Sequence, residues 1–463
     1  MFHDPDFLPF TPRETPSFLA VTRNFLENYP PQAYRSQYWI SERAWGIVPR
    51  MHYVASPELI EELLVARADA FRRDDLEQNA LAGPIERESL FFSEGADWKW
   101  QRRALAPAFR HENLLALVPD FARCAQAQAR DWRGLEAGAA VDIMEAMSRT
   151  TFAVIESAVF GASEEFDSDG FIAALRPVLG GVAWRMLAAM FHLPSDRVPY
   201  PGFLAARRAA RFLRAETEKL LAARRARPDA RRDILGLMLA AKDPETGRVM
   251  SDDELIANLH GLLLAGHETA AVALGWTLWL LAKDQESQRR VREEIAAVCG
   301  DAEIGPDNVE ALAFTRQALQ ESMRLFPPAA AIGRQAREDT TLGAHVVRKN
   351  EPIYVLVWCL HRNETLWDEP LGFDPDRFAP EKAKLRPRCA FLPFGAGPRI
   401  CIGMGFAMLE MTTILATLIR EFHFETLPGH RLALAPSFTT RPKGPLPLRV
   451  TRLDRASAPP ASA

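Results

Sequence analysis

The chain has 463 residues, 48% hydrophobic and 25% charged, and 56 Lys plus Arg against 60 Asp plus Glu leave a net charge of −4. It is too apolar and too near neutrality to be disordered, not basic enough to read as a nucleic-acid binder, and long enough to enclose a bulky cofactor. Its five cysteines (Cys124, Cys299, Cys359, Cys389, Cys401) form no C-x-x-C pair or regular ladder, which argues against a disulfide scaffold and for a reduced, cytoplasmic setting. Met1–Phe10 holds Asp4 and Asp6 and no apolar run behind a basic start, so neither a signal peptide nor a membrane anchor is expected.

Along the chain, a short strand is expected around Gly46–Val54, and Gln78–Phe92 reads as a loop able to cover a pocket. Trp98–Phe109 (WKWQRRALAPAF) reads as a helix with Trp98 and Arg102 on one face at i, i+4. Residues 110–330, rich in Ala, Leu, Arg and Glu, are mostly helical by periodicity, with Ala183–Tyr200 as a second lid.

Leu255–Ala282 contains one charged residue, Glu268, and is long enough to span a bilayer. Ser251 and Glu254 form a capping box that starts the helix in polar surroundings, and an acid and Thr269 at its middle oppose a membrane location. The buried axis of a soluble protein is therefore the preferred reading. Glu321-x-x-Arg324 follows on a helix stopped by Pro327-Pro328, then short β-like runs such as Pro352–Trp358. After a loop, a helix is expected to about Arg420, a last strand near Leu446–Thr451, and a frayed tail at Ala456–Ala463. The fold class expected is mainly α with small β-sheets, residues 1–455 forming one catalytic domain.

Phe394–Gly403 (FGAGPRICIG) puts Cys401 just before a helix, where the dipole and free N–H groups favour a thiolate and tune any metal it binds. Gly395 and Gly397 permit a tight turn lying flat on a planar ligand, and Arg399 is placed to pair with an anionic group. A buried structural cysteine beside a glycine turn is the plain alternative.

This stretch resembles the haem-ligand loop of the cytochrome P-450 superfamily, matching at Phe394, Gly395, Gly397, Arg399, Cys401 and Gly403. The resemblance runs from about residue 45 to 450 in the family's motif order. Ala265-Gly266-His267-Glu268-Thr269-Ala270 is similar to its oxygen-binding motif, with Ala270 where a second hydroxyl is common. Leu262, Ala265, Gly266, Thr269 and Val272 nearly share one helical face. Glu321, Arg324 and Arg377 match a buried ionic triad, in a segment carrying Asp376 where Glu is usual.

The resemblance implies haem b held by Cys401 between the long helix and the cysteine-loop helix, with Trp98, Arg102, Arg334 and Arg399 toward its propionates and Phe394 and Gly403 shaping the loop. It implies Ala265 and Gly266 over the distal face, and Thr269 and Glu268 as the catalytic proton carriers. The activity implied is a soluble, bacterial-type haem-thiolate monooxygenase acting on a lipophilic small molecule, with electrons from a ferredoxin or flavodoxin and an NAD(P)H-dependent reductase. The expected pocket wall is Leu262, Leu263, Ala265, Thr269 and Ala329–Ile332. The expected docking patch draws on those of Arg102, Arg103, Arg110, Lys382, Lys384, Arg386, Arg388 and Arg399 that do not turn inward to the haem. A haem-thiolate peroxygenase or isomerase and a non-catalytic haem-binding sensor are the alternatives.

Overall fold

The long apolar segment folds as a single helix, Asp252–Lys283, that runs through the protein. The structure, a computed structural model, describes residues 1–14, 17, 20, 23–41, 50–82, 86–136, 138–161, 166–191, 193–194, 197–226, 233–243, 245–435 and 439–453. Ser251 caps the helix as the capping box requires: its Oγ accepts the Glu254 N–H and the Glu254 carboxylate accepts the Ser251 N–H. Helices Ile143–Phe160, Ala313–Leu325 and Met404–Glu421 pack around it, so its apolar residues bury against protein and Trp276 and Trp279 are sealed in the core.

Among the described residues the stretch long and apolar enough to cross a membrane is a different one, Ser168–Met190, with mean hydropathy 1.3 and 44% of it buried. It forms the helices Ser168–Gly180 and Val182–Met190.

The β-structure is peripheral. A five-stranded sheet has the spatial order Tyr38–Ser41, Met51–Val54, Pro352–Val355, Ile332–Ala336, Phe71–Arg73. Its register sets Arg73 opposite Arg334. A three-stranded sheet joins Phe422–Thr426, Pro447–Arg452 and Ala139–Asp142. The run Pro352–Trp358, expected as one strand, leaves the sheet after Val355 and closes a helical turn, Val357–Leu360. A short, wholly apolar run carries no period to separate the two states, and the turn is closed by the Leu360 N–H bond to the Leu356 carbonyl and the His361 N–H bond to the Val357 carbonyl. The first part of the strand expected around Gly46–Val54, and the tail at 456–463, lie outside the described residues.

Candidate active site

Cys401 sits in the turn between Gly397–Arg399 and the helix Met404–Glu421, its N–H donating to the Phe394 carbonyl at 2.9 Å. Both Gly395 (φ 73°) and Gly397 (φ 72°) adopt the left-handed backbone that glycine tolerates. At Gly397 a side chain would collide with the Leu64 carbonyl oxygen, so this turn is seated directly on the Pro57–Ala66 helical segment.

The ionic triad holds the same loop from behind. Glu321 and Arg324 pair at 2.7 Å through both oxygens, and Arg377 Nε lies 3.3 Å from Glu321 Oε1. Arg324 donates to the carbonyls of His361, Pro370 and Gly372, and His361 Nε2 accepts the Leu392 N–H two residues before Phe394. Every hydrogen-bonding group of the pair is engaged, the condition under which a fully buried ion pair is tolerated. Asp376 stands apart from the triad and binds Arg290 in bidentate fashion at 2.8 Å.

The Cys401 side chain opens onto a cavity of about 1120 Å3. Protein encloses the thiol on its other sides, and that burial raises its pKa, against the lowering effects of the Gly403 N–H and of Arg102. The helix-terminus effect expected from sequence is thus present in the Gly403 contact but is outweighed by desolvation.

Across the cavity lies the middle of the long helix. Leu262, Ala265, Gly266 and Thr269 line it, while Leu263, expected in the pocket wall, and Val272, expected on the same face, are fully buried in the core behind. A Cβ on Gly266 would approach Ile155 Cδ1 to 3.0 Å, so this glycine also serves the close crossing with helix Ile143–Phe160. Thr269 Oγ1 donates to the Ala265 carbonyl at 2.6 Å. Glu268 does not line the cavity: it is buried, accepts Thr439 Oγ1 at 2.9 Å and lies 3.4 Å from Arg441 Nε.

Four arginines converge on the rim. Arg102, Arg334, Arg399 and Arg73 all line the cavity, as does Trp98, over whose ring the Arg399 guanidinium stacks at 4.4 Å. Arg73 pairs with Glu77, whereas Arg102, Arg334 and Arg399 form no ion pair among the described residues. Arg399 Nη1 is buried with no hydrogen-bond partner. Burial, with repulsion from Arg73 on both and from Arg334 and Arg337 on Arg399, pushes the pKa of Arg334 and of Arg399 down to about 10. Such a cluster is stable only with anionic partners, and two carboxylates on a planar group supply them. With a free thiol below, a small-residue wall above and an orphaned guanidinium at the edge, the residues present fit a haem.

Sequence reasoning missed Arg73, Thr439 and Arg441. Arg73 is brought in by its register opposite Arg334, and Thr439 and Arg441 by the return of the C-terminal segment past the long helix; none carries a local motif.

The chain matches the family model described as cytochrome P450 over residues 43–447. It is 31% identical over 440 residues to cytochrome P450 4F2 of Homo sapiens, spanning 89% of this chain and 83% of that relative. Identity to the cytokinin hydroxylase of Arabidopsis thaliana is 32% over 427 residues, spanning 88% and 80%. Identity to cyclooctatin synthase of Streptomyces melanosporofaciens is 31% over 403 residues, spanning 86% of each.

Proposed function

The chain belongs to the cytochrome P450 family, and from that premise we propose that this monooxygenase places one oxygen atom on a lipophilic small molecule held between its long helix and Cys401. The observation that carries the reading is the opposition of the Cys401 sulfur and the Ala265–Thr269 wall across one cavity rimmed by unpaired guanidinium groups. A bound haem supplies the oxygen activation and the C–H oxidation. The chain would hold that haem through the Cys401 sulfur, with anion contacts from Arg102, Arg334, Arg399 and Trp98 and a loop shaped by Phe394 and Gly403.

Leu262, Ala265 and Ala329–Ile332 exclude water and orient an apolar substrate, and Thr269 presents a hydroxyl to the reacting side. Glu268 sits behind that wall, with Arg441, its side chain 35% exposed, linking it toward solvent.

Haem b as the macrocycle, a soluble bacterial-type chain, a cytoplasmic location, and a ferredoxin or flavodoxin with an NAD(P)H-dependent reductase complete the proposal. Membership of the family supports the first part, similarity to a Streptomyces relative and unpaired cysteines support the second and third, and the surface charge discussed below supports the last.

The deciding experiment is the carbon-monoxide difference spectrum of the dithionite-reduced protein beside Cys401→Ala. A strongly red-shifted Soret band in the parent that the variant lacks is expected. A parent band indifferent to Cys401 would remove the thiolate and the mechanism with it.

A further inference from the structure

We propose that Thr439 is the hydroxyl through which Glu268 reaches the cavity, so that Glu268 and Thr439, from opposite ends of the chain's catalytic region, form a proton-transfer pair in this enzyme. The inference rests on the monooxygenase reading above and adds a residue to it.

Glu268 is 2% exposed and absent from the cavity wall, whereas Thr439, also 2% exposed, lines it. One hydrogen bond joins them, Thr439 Oγ1 to Glu268 Oε1 at 2.9 Å. Thr269, the neighbour of Glu268 in sequence, points its hydroxyl proton at the Ala265 carbonyl and makes no bond to the acid. Adjacent helical residues face directions about 100° apart, and here Thr269 turns to the cavity while Glu268 turns away from it. The Thr439 hydroxyl, from another segment, spans the gap between the acid and the cavity.

That segment is fixed in place. Thr440 donates from its hydroxyl to the Pro327 carbonyl at 2.6 Å and from its N–H to Pro328, while its own carbonyl accepts the Trp276 indole N–H at 2.8 Å. Trp276 lies two helical turns beyond Glu268, so the same helix that carries the acid anchors the residue beside Thr439. Arg441, on the far side of Thr440, brings the solvent end of the path to the same Glu268 oxygen.

The transfer moves one proton and no electrons. Glu268 takes up one proton from solvent on the Arg441 side and passes it to Thr439 Oγ as the Thr439 hydroxyl, turning from Glu268 Oε1, gives its own proton to a water in the cavity. The carboxylate and the hydroxyl then stand as they began.

The test uses the haem-loaded full chain with a surrogate ferredoxin and its reductase, no substrate, and measures how consumed oxygen divides between water and hydrogen peroxide. Thr439→Val and Glu268→Gln are each expected to raise the peroxide share several-fold, their double variant no further than either alone, and Thr439→Ser to behave as the parent. Infrared difference spectra give a readout independent of turnover: the carboxyl band that Glu268→Gln deletes is expected to shift in Thr439→Val and stay in place in Thr269→Val. Thr439→Ala replaces Thr439→Val if the latter does not retain haem.

A parent-like division in the Thr439 variant, additive effects in the double variant, or an unmoved carboxyl band would each overturn the pairing. A parent without the Cys401-dependent carbon-monoxide spectrum would instead defeat the underlying monooxygenase reading, so the two failures are told apart.

Discussion

His267 lies one residue before Glu268, buried against Phe152, with Nε2 2.8 Å from Ser148 Oγ and Nδ1 unpartnered. Burial lowers its pKa from 6.5 to about 4, with Arg441 adding to the shift and Glu268 opposing it. The unfolded chain therefore takes up a proton at pH values where the folded chain refuses it. Stability is fully present above pH ~6.5 and is lost as pH falls toward 4, by up to ~3 kcal/mol. In His267→Gln this loss disappears, so the difference in melting temperature, parent minus variant, is expected to shrink steadily from pH 7 to pH 4. Parallel melting curves across that range would show that the folded protein accommodates the charged imidazole. Neither Glu268 nor His267 shows its environment in sequence, because burial depends on what a residue's neighbours pack against.

At the scale of the element, the cysteine loop is built on two glycines with the same backbone and different surroundings. A side chain at Gly395 meets only Ile332 Cδ1 at 3.8 Å, whereas one at Gly397 runs into the Leu64 carbonyl and lies 3.2 Å from Val65 Cα. Left-handed strain of roughly 1–3 kcal/mol applies to both, and the backbone collision to Gly397 alone. Gly397→Ala is expected to melt lower and retain less haem than Gly395→Ala, by thermal denaturation and pyridine haemochrome assay. Equal losses would mean that the loop lifts off the Leu64 segment freely. The E-x-x-R helix was legible as a pair at i, i+3, but its hold on the loop, through Arg324, the His361 carbonyl and the Leu392 N–H, spans segments that no local pattern connects. The capping box, by contrast, is local, and appears as read.

For the whole molecule, the tertiary structure redistributes the basic residues that sequence placed in one docking patch. Arg102 and Arg399 face the cavity, Arg386 stacks on Trp367 and Phe378, Arg103 pairs with Asp243, and Arg388 pairs with Glu61. Exposed Lys382, Lys384 and Arg110 remain, in no close ion pair among the described residues, although Lys382 lies within electrostatic reach of Asp376. An acidic electron donor drawn to this reduced patch would bind faster at low salt. The double variant Lys382→Glu/Lys384→Glu is expected to slow first-electron transfer from a ferredoxin at low ionic strength and to flatten its salt dependence, measured by stopped-flow reduction under carbon monoxide. A parent rate indifferent to salt would sink the acidic-donor proposal.

The sequence by itself determined the helix-dominated class, the start and length of the axial helix, and the cysteine loop, because each is written in neighbouring residues: an apolar run, a cap three residues from its partner, two glycines before a thiol. What only the tertiary structure decided is where charge goes. Three arginines that the resemblance already turned toward one ligand, from motifs spread over some 300 residues, meet at one rim with a fourth, Arg73, that no motif announces. Glu268, expected only as a proton carrier, turns to a threonine and an arginine about 170 positions away. Local pattern fixes which face a side chain takes on its own element, but its electrostatic partners are set by the packing of elements distant in sequence.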